Sequence, residues 1–236
     1  MSRGHHHGFP AWAGVKVALA LWSVVFNGTT TKIGAGTHAT VTNLHDGALT
    51  AEGWFLAETL PAAQMHFISK GVLGGNNGWY LYYQNNLMVA GVECDTTDAT
   101  AVYSITITDG LWHHVAMTWD DAGDRKVRIY IDRSLVGTSG AGVGVVASDA
   151  AVTLSIGCYG NFDRFFDGNV GWCRISDVVR AITTETYTRA VPPSVDANTV
   201  RLFKMDEGDG TVIGDSSIND QDATLTSGAW LRDGYG

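Results

Sequence analysis

The sequence predicts an all-β protein, an antiparallel two-sheet jelly-roll sandwich. Three observations carry this expectation. Short alternating or wholly apolar runs recur along the chain, each bounded by Gly, Asn or Asp clusters such as NNG, DDAGD and GNFD, which is how strands joined by tight turns read. Glycine is abundant at 29 residues while proline is held to four, the balance of a chain built from turns rather than long helices. No long segment repeats apolar residues at the 3.6 spacing of a helix. The one helical turn expected is TTETYTR, 183–189.

Taken in order, the chain opens with an arm, 1–15, that includes a three-histidine run, His5–His7, and the residues Phe9, Pro10 and Trp12. The run VKVALALWSVVF, 15–26, is the most apolar. It is too short to span a bilayer and carries Lys16, and no small-x-small cleavage pattern follows it, so it reads as a buried strand. ALTAEGWFLAE, MHFISK, GWYLYYQ, LMVAGVE, TAVYSITIT, WHHVAMTWD, KVRIYID, AVTLSIGCY and NVGWCRIS supply the following strands. No composition shift marks a linker, so 16–236 is expected to be one domain. A chain of 236 residues buries roughly 70% of its unfolded surface and needs neither metal nor disulfide to fold. The cysteines Cys94, Cys158 and Cys173 have no zinc-like spacing; Cys158 and Cys173 fall in neighbouring expected strands, and the reduced, buried state is favoured for all three. A net charge of −9 with no basic cluster excludes a nucleic-acid surface.

The stretch GLWHHVAMTWDD, 110–121, poses the first chemical question. Adjacent strand residues point to opposite faces, so His113 shares a face with Val115, Met117 and Trp119, and His114 with Trp112 and Ala116. Two such histidines do not chelate one zinc ion. One of them is expected to be a buried, hydrogen-bonded structural residue.

At this point a resemblance enters. DGLWHHVAMTWDD, then KVRIYIDRSLVGT, then LSIGCYGNFDRFFDGNVGWCRISD resemble, in order, the W-H-H-V-A strand, the Y-V-D-G hairpin, the I-G strand and the F-x-G-x-I-D-x-V-R-I strand of laminin-G-like domains in the concanavalin-A-like superfamily. VVFNGTTTKIG looks like the F-D-G opening of that family, and GWYLYYQNNLMVAGV looks like its middle hairpin. The resemblance covers roughly 20–190. The segment RLFKMDEGDGTVIGDSSINDQDATLTSGAWL is similar to a block that often precedes the F-D-G strand, yet here it follows the body. It is therefore expected that 199–236 closes the same sandwich as a permuted segment beside the N-terminal strand. Two acidic positions of the family pattern are replaced, one by Gly171 and the other by Thr29, Thr30 and Thr31, which weakens any inherited calcium site.

The chemical candidates follow. No strand carries the E-x-D-x-E run with which glucanases of this fold aim two carboxylates into one cleft, and no G-x-S-x-G is present. MDEGDG, 205–210, suits a turn, and GAGTHA, 34–39, lacks the helix a dinucleotide site needs. The expectation is a protein that is not an enzyme. Calcium is the possible cofactor: the loop GNFDRFFDGN offers Asn161, Asp163 and Asp167, and DDAGD offers Asp120, Asp121 and Asp124, although the same residues are favoured in turns for backbone reasons. A sugar site is the other candidate, from Trp79, Tyr80, Tyr82 and Tyr83 with Asn76, Asn77 and Asn85. Alternation separates Trp79, Leu81 and Tyr83 from Tyr80 and Tyr82, so one set belongs to the core. Asn27-Gly28-Thr29 matches a glycosylation sequon, with the hairpin-turn reading preferred.

Two functions compete on this footing. One is a structural or decoration protein exposed on a phage or virus virion, made in the host cytoplasm without an export signal, its partners being other particle proteins or a second copy met through Phe9, Pro10 and Trp12. The other is a secreted or surface-attached module that binds cell-surface glycans. The lone domain and the arm tilt the expectation toward the first. No membrane insertion is expected.

Overall fold

Alternation decides which side chains of each strand meet in the middle of the molecule. The structure, a computed structural model, describes residues 21–59, 64–72, 77–107, 110–160 and 163–232. Strands β1 (Trp22–Asn27) and β2 (Lys32–Gly34) are followed by β3 (Ala48–Ala57), β4 (Met65–Gly71), β5 (Gly78–Gln84), β6 (Leu87–Val92) and β7 (Ala99–Ser104). Next come β8 (His113–Asp120), β9 (Lys126–Ile131), β10 (Ser134–Ala141), β11 (Ser155–Ile156) and β12 (Asp167–Ser176). The chain ends in β13 (Thr199–Phe203), β14 (Val212–Ile213), β15 (Ala223–Thr226) and β16 (Ala229–Arg232). One sheet runs β10-β9-β8-β3-β12-β1-β16, with β13 also on β12; the other runs β14-β15-β2-β11-β4-β5-β6-β7. The protein is thus the antiparallel two-sheet sandwich that its sequence predicts.

The shared core takes Val24, Phe26, Val115, Met117 and Trp119 from the first sheet and Ile33, Ile68, Trp79, Leu81 and Tyr83 from the second, all at most 1% exposed. Strand β12 forks: its first residues pair with β1 from Asn27↔Asp167 to Val24↔Val170, and its last pair with β13 from Cys173↔Phe203 to Ser176↔Thr199. The last segment supplies strands to both sheets, β16 lying on β1 and β15 on β2. All three cysteines are free and buried; Cys173 lies in β12 of the first sheet, while Cys158 follows β11 of the second.

Two buried ionic networks tie the chain together. Outside the first sheet, Glu52 of β3 accepts from Arg174 Nε at 2.7 Å, from His114 Nε2 at 3.0 Å and from the Tyr187 hydroxyl. This is where the adjacent histidines resolve. His114 is the buried one, 1% exposed, while His113 stays half-buried against Asp132 at 2.8 Å. The buried histidine therefore lies opposite the face of Val115 and Trp119, because that outer face is itself covered by the chain after β12. The expected helical turn at 183–189 is only a 3-10 turn at Ile182–Thr184. Beyond it, the Glu185 carbonyl accepts from Arg133 and the Thr188 carbonyl from Trp172 Nε1, so distant side chains take carbonyls that a helix would use internally. At the second network, Lys70 Nζ donates to the Asp149 and Val152 carbonyls, each at 2.7 Å, and lies 3.1 Å from Asp149 Oδ1; His45 Nδ1 is 3.4 Å from Asp149 Oδ2. No helix among the described residues is long and apolar enough to cross a membrane.

Candidate functional site

Strands β4, β5 and β6 present one outer face of the second sheet, and β5 sorts its aromatics as alternation requires. Trp79, Leu81 and Tyr83 are fully buried in the core, while Tyr80 and Tyr82 stand half-buried on the outside. This corrects the place of Trp79 among the glycan candidates: at 0% exposure its ring has no face left for a ligand. Across from Tyr80 on β6 is Gly91, and a Cβ there would come within 2.5 Å of the Tyr80 ring and hydroxyl. The missing side chain is what lets Tyr80 lie down over its neighbouring strand.

His66 stands on this face just before a bulge. The pairing of β4 with β5 shifts between His66 and Ile68, so Phe67 and Ile68 both enter the core and His66 turns out beside Tyr82. The loop after β11 then folds over: Tyr159 N–H donates to the Asp163 carbonyl, and His66 N–H to the Arg164 carbonyl. The His66 ring centroid lies 4.5 Å from that of Tyr159 and 5.0 Å from that of Tyr82, while Tyr80 and Tyr82 are 5.5 Å apart. Arg164 stands 5.7 Å from the Tyr159 ring centroid. Gln64 and Glu93 complete a shallow recess of about 120 Å³. It is far below the several hundred Å³ of an organic-cofactor pocket, and it suits the edge of one small ring.

The recess holds buried polar atoms that the described residues leave unbonded. His66 Nε2 lies 3.5 Å from Gln64 Oε1, while its Nδ1 and Glu93 Oε2 are buried without a hydrogen-bond partner among the described residues. Burial, together with the nearby Arg164 charge, holds the His66 pKa down to about 3, so the ring is neutral. Burial, with Asp98 beside it, pushes the Glu93 carboxyl up to about 7, opposed by a hydrogen bond from the Asn77 backbone. Burial also raises Tyr80 to about 12, and the Tyr159 hydroxyl is raised too, so both remain protonated donors. The half-buried rings of Tyr80 and Tyr82 and the Arg164 guanidinium make a surface that can stack on a ring and exchange hydrogen bonds with hydroxyls, over a floor formed by the buried His66 and Tyr159 rings.

The other expected residues fall differently. Asn77 belongs to the frame of the recess: its backbone serves Glu93, and its side chain accepts from Val72 N–H at 3.3 Å. Asn76, Asn161 and the residues Phe9, Pro10 and Trp12 lie outside the described residues. Of the calcium candidates, Asp163 is 3.7 Å from Arg164 Nε, and Asp167 accepts from Thr59 Oγ1 at 2.5 Å. Asp120 and Asp124 serve the DDAGD turn, accepting from Gly123 and Lys126 N–H respectively, and Asp121 pairs with Arg125 at 3.1 Å. Among the described residues no group of three or more His, Cys, Asp or Glu gathers around a metal-sized space. Asn27 acts as a turn residue, its Oδ1 accepting from the N–H groups of Thr29, Thr30 and Thr31. A larger cavity of about 480 Å³ opens beside Trp22, Trp172 and Met205. It borders the first described residue, and its Arg189 is already laid on Trp112, 4.2 Å from the ring centroid.

Sequence reasoning found Tyr80, Tyr82 and Asn77 and missed Gln64, His66, Glu93, Tyr159 and Arg164. A signal existed for Glu93, since it continues the outer alternation of Val89 and Gly91.

The fold is an antiparallel two-sheet β-sandwich with an aromatic, acid-bearing recess on one outer face. The chain belongs to the concanavalin A-like lectin/glucanase superfamily, whose laminin-G family model matches residues 27–185. Among solved structures it is similar to a Bacteroides ovatus protein provisionally described as carbohydrate binding, at 15% identity and TM-score 0.67, over 90% of this chain and 60% of that one. The chain thus spans less than two thirds of that protein. It is also similar to the CBM40 module of the Ruminococcus gnavus IT-sialidase, at 14% identity and TM-score 0.54, over 68% of this chain and 93% of that one. At these identities the likeness is one of fold. No curated protein matches the sequence significantly.

Proposed function

We propose that the protein is a non-catalytic carbohydrate-binding module that receives a sugar at the recess of His66, Tyr80, Tyr82, Glu93, Tyr159 and Arg164. The observation that carries this is the pair of outward tyrosines beside a carboxylate whose Oε2 has no partner among the described residues. The fold is shared with a B. ovatus protein provisionally described as carbohydrate binding and with a sialidase-attached CBM40, which supports the same employment. Glycoside hydrolysis needs two carboxyl groups about 5–10 Å apart across the bond; among the described residues Glu93 is the one acid that lines this recess. Such a module works where glycans are accessible, outside a cell or on a particle surface. The arm at 1–15, through which the particle reading would attach the protein, lies outside the described residues.

The test is a glycan array followed by calorimetric titration of its hits, with and without calcium. Tyr82→Ala is expected to weaken binding at least about tenfold, or 1.4 kcal/mol, in a protein that still melts cooperatively. Unchanged affinity in folded Tyr82→Ala removes the recess as the sugar site.

A further inference from the structure

Resting on that carbohydrate reading, the recess also selects a kind of sugar. We propose that Glu93 is the specificity-determining acceptor, its carboxylate receiving a hydroxyl of a neutral sugar, so that binding strengthens as Glu93 loses its proton and a carboxylated sugar is disfavoured.

The placement is built in. Glu93 follows β6, where its N–H donates to the Gly78 carbonyl at 3.0 Å, and it stands on the same outer face as Gly91. One side of its carboxyl is held by the Asn77 backbone N–H, while Oε2 is buried and unbonded among the described residues. The groups that face it come from four directions. Asp98, held by Cys94 N–H at 2.9 Å, adds negative charge from the turn after β6. Tyr80 from β5 and Tyr159 from the loop after β11 are neutral hydroxyls that feel the Glu93 charge. His66 and Tyr82 line the same recess as uncharged rings. Arg164, the cation of the recess, is set over Tyr159 and beside Asp163.

These neighbours fix the sign. With burial and Asp98 opposing ionisation, the carboxyl titrates near neutrality. A sugar hydroxyl donating to the ionised form makes a charge-assisted bond, the stronger kind. Binding then favours the deprotonated state, so affinity rises with pH through that range and levels off above it. A sugar carboxylate meets the opposite slope, because Glu93 and Asp98 repel it together.

The experiment titrates the full chain with methyl glucoside, methyl galactoside, N-acetylglucosamine, glucuronic acid and N-acetylneuraminic acid at about pH 5.5, 7 and 8.5. In parallel, carboxyl ¹³C NMR follows Glu93, assigned by the signal lost in Glu93→Gln. Expected are a neutral-sugar affinity about fivefold higher at the alkaline end, weaker and falling affinity for the acidic sugars, and a flat profile in Glu93→Gln. The free Glu93 midpoint lies near neutrality and moves down on saturation with a neutral sugar. Binding that is indifferent to pH, a Glu93 midpoint in the ordinary carboxylate range, or preference for the acidic sugars overturns the Glu93 proposal and leaves the carbohydrate reading standing. Failure of every sugar to bind at every pH overturns both.

Discussion

Glu52→Ala is expected to cost about 3–5 kcal/mol of stability, the usual consequence of stripping one partner from a buried ionic network. The substitution leaves Arg174, 3% exposed, without the carboxylate that takes its Nε and Nη2, and leaves the His114 ring and Tyr187 hydroxyl without their shared acceptor. In a chain of this length, that loss lowers the melting temperature on the order of 10 °C. Burial alone would raise the Glu52 pKa, yet the His114 hydrogen bond and the Arg174 charge outweigh it and the carboxyl titrates below its ordinary value. A carboxyl depressed in the folded state contributes stability that is fully present above its unfolded value of about 4.5 and disappears as pH falls through the folded value. Glu52→Ala is therefore expected to flatten the acid limb of a stability-against-pH curve. Urea unfolding at neutral and acid pH measures both effects. A loss under about 1 kcal/mol at neutral pH would show that the network orders the covering chain without holding it.

Lys70→Met is the second large effect, again about 3–5 kcal/mol. Lys70 Nζ fills three acceptors at once, so its removal leaves two carbonyls and the Asp149 carboxylate underserved inside the molecule. The double variant Lys70→Met/Asp149→Leu is expected to cost less than the two singles together, by about 0.5–3 kcal/mol, because each single strands the other's partner. Additive losses in a denaturation cycle would exclude the coupling. The pH response has two limbs. Burial works against the Asp149 charge, but the His45 hydrogen bond and its other partners pull its pKa down, so that contribution is lost as pH falls. Burial likewise works against charged His45, but the Asp149 hydrogen bond and charge raise its pKa above 6.5. The His45 contribution is complete below that value and fades as pH climbs through the raised one.

Most of the sandwich is legible in sequence because strand alternation is a local signal. GWYLYYQ alone separates Trp79, Leu81 and Tyr83 from Tyr80 and Tyr82, and WHHVAMTWD states that its two histidines part company. The partners are not local. Glu52 meets His114 at a separation of 62 residues and Arg174 at 122, and no spacing rule connects them. The recess was half legible for the same reason. Its tyrosines on β5 follow from period two, but along β4 a bulge after His66 breaks the period and hides which residues face outward. Tyr159 and Arg164 arrive on a loop whose Asn and Asp residues drew attention instead. A similar confusion hid the covering chain after β12, where TTETYTR has helical residues but its carbonyls are claimed from outside.

The pairing of β16 with β1 and of β15 with β2 also governs how the molecule is assembled in time. Strands β1 and β2 stay without these lateral partners until β15 and β16 have been synthesised after the whole body of the sandwich. The entropy of closing so long a loop must be met before those contacts give any return, which places refolding toward the slow, millisecond-to-second end for β-sandwiches. Meanwhile β1 and β2 wait with bare edges, open to strands of other nascent copies. Slower synthesis at lower temperature should therefore raise the yield of soluble protein.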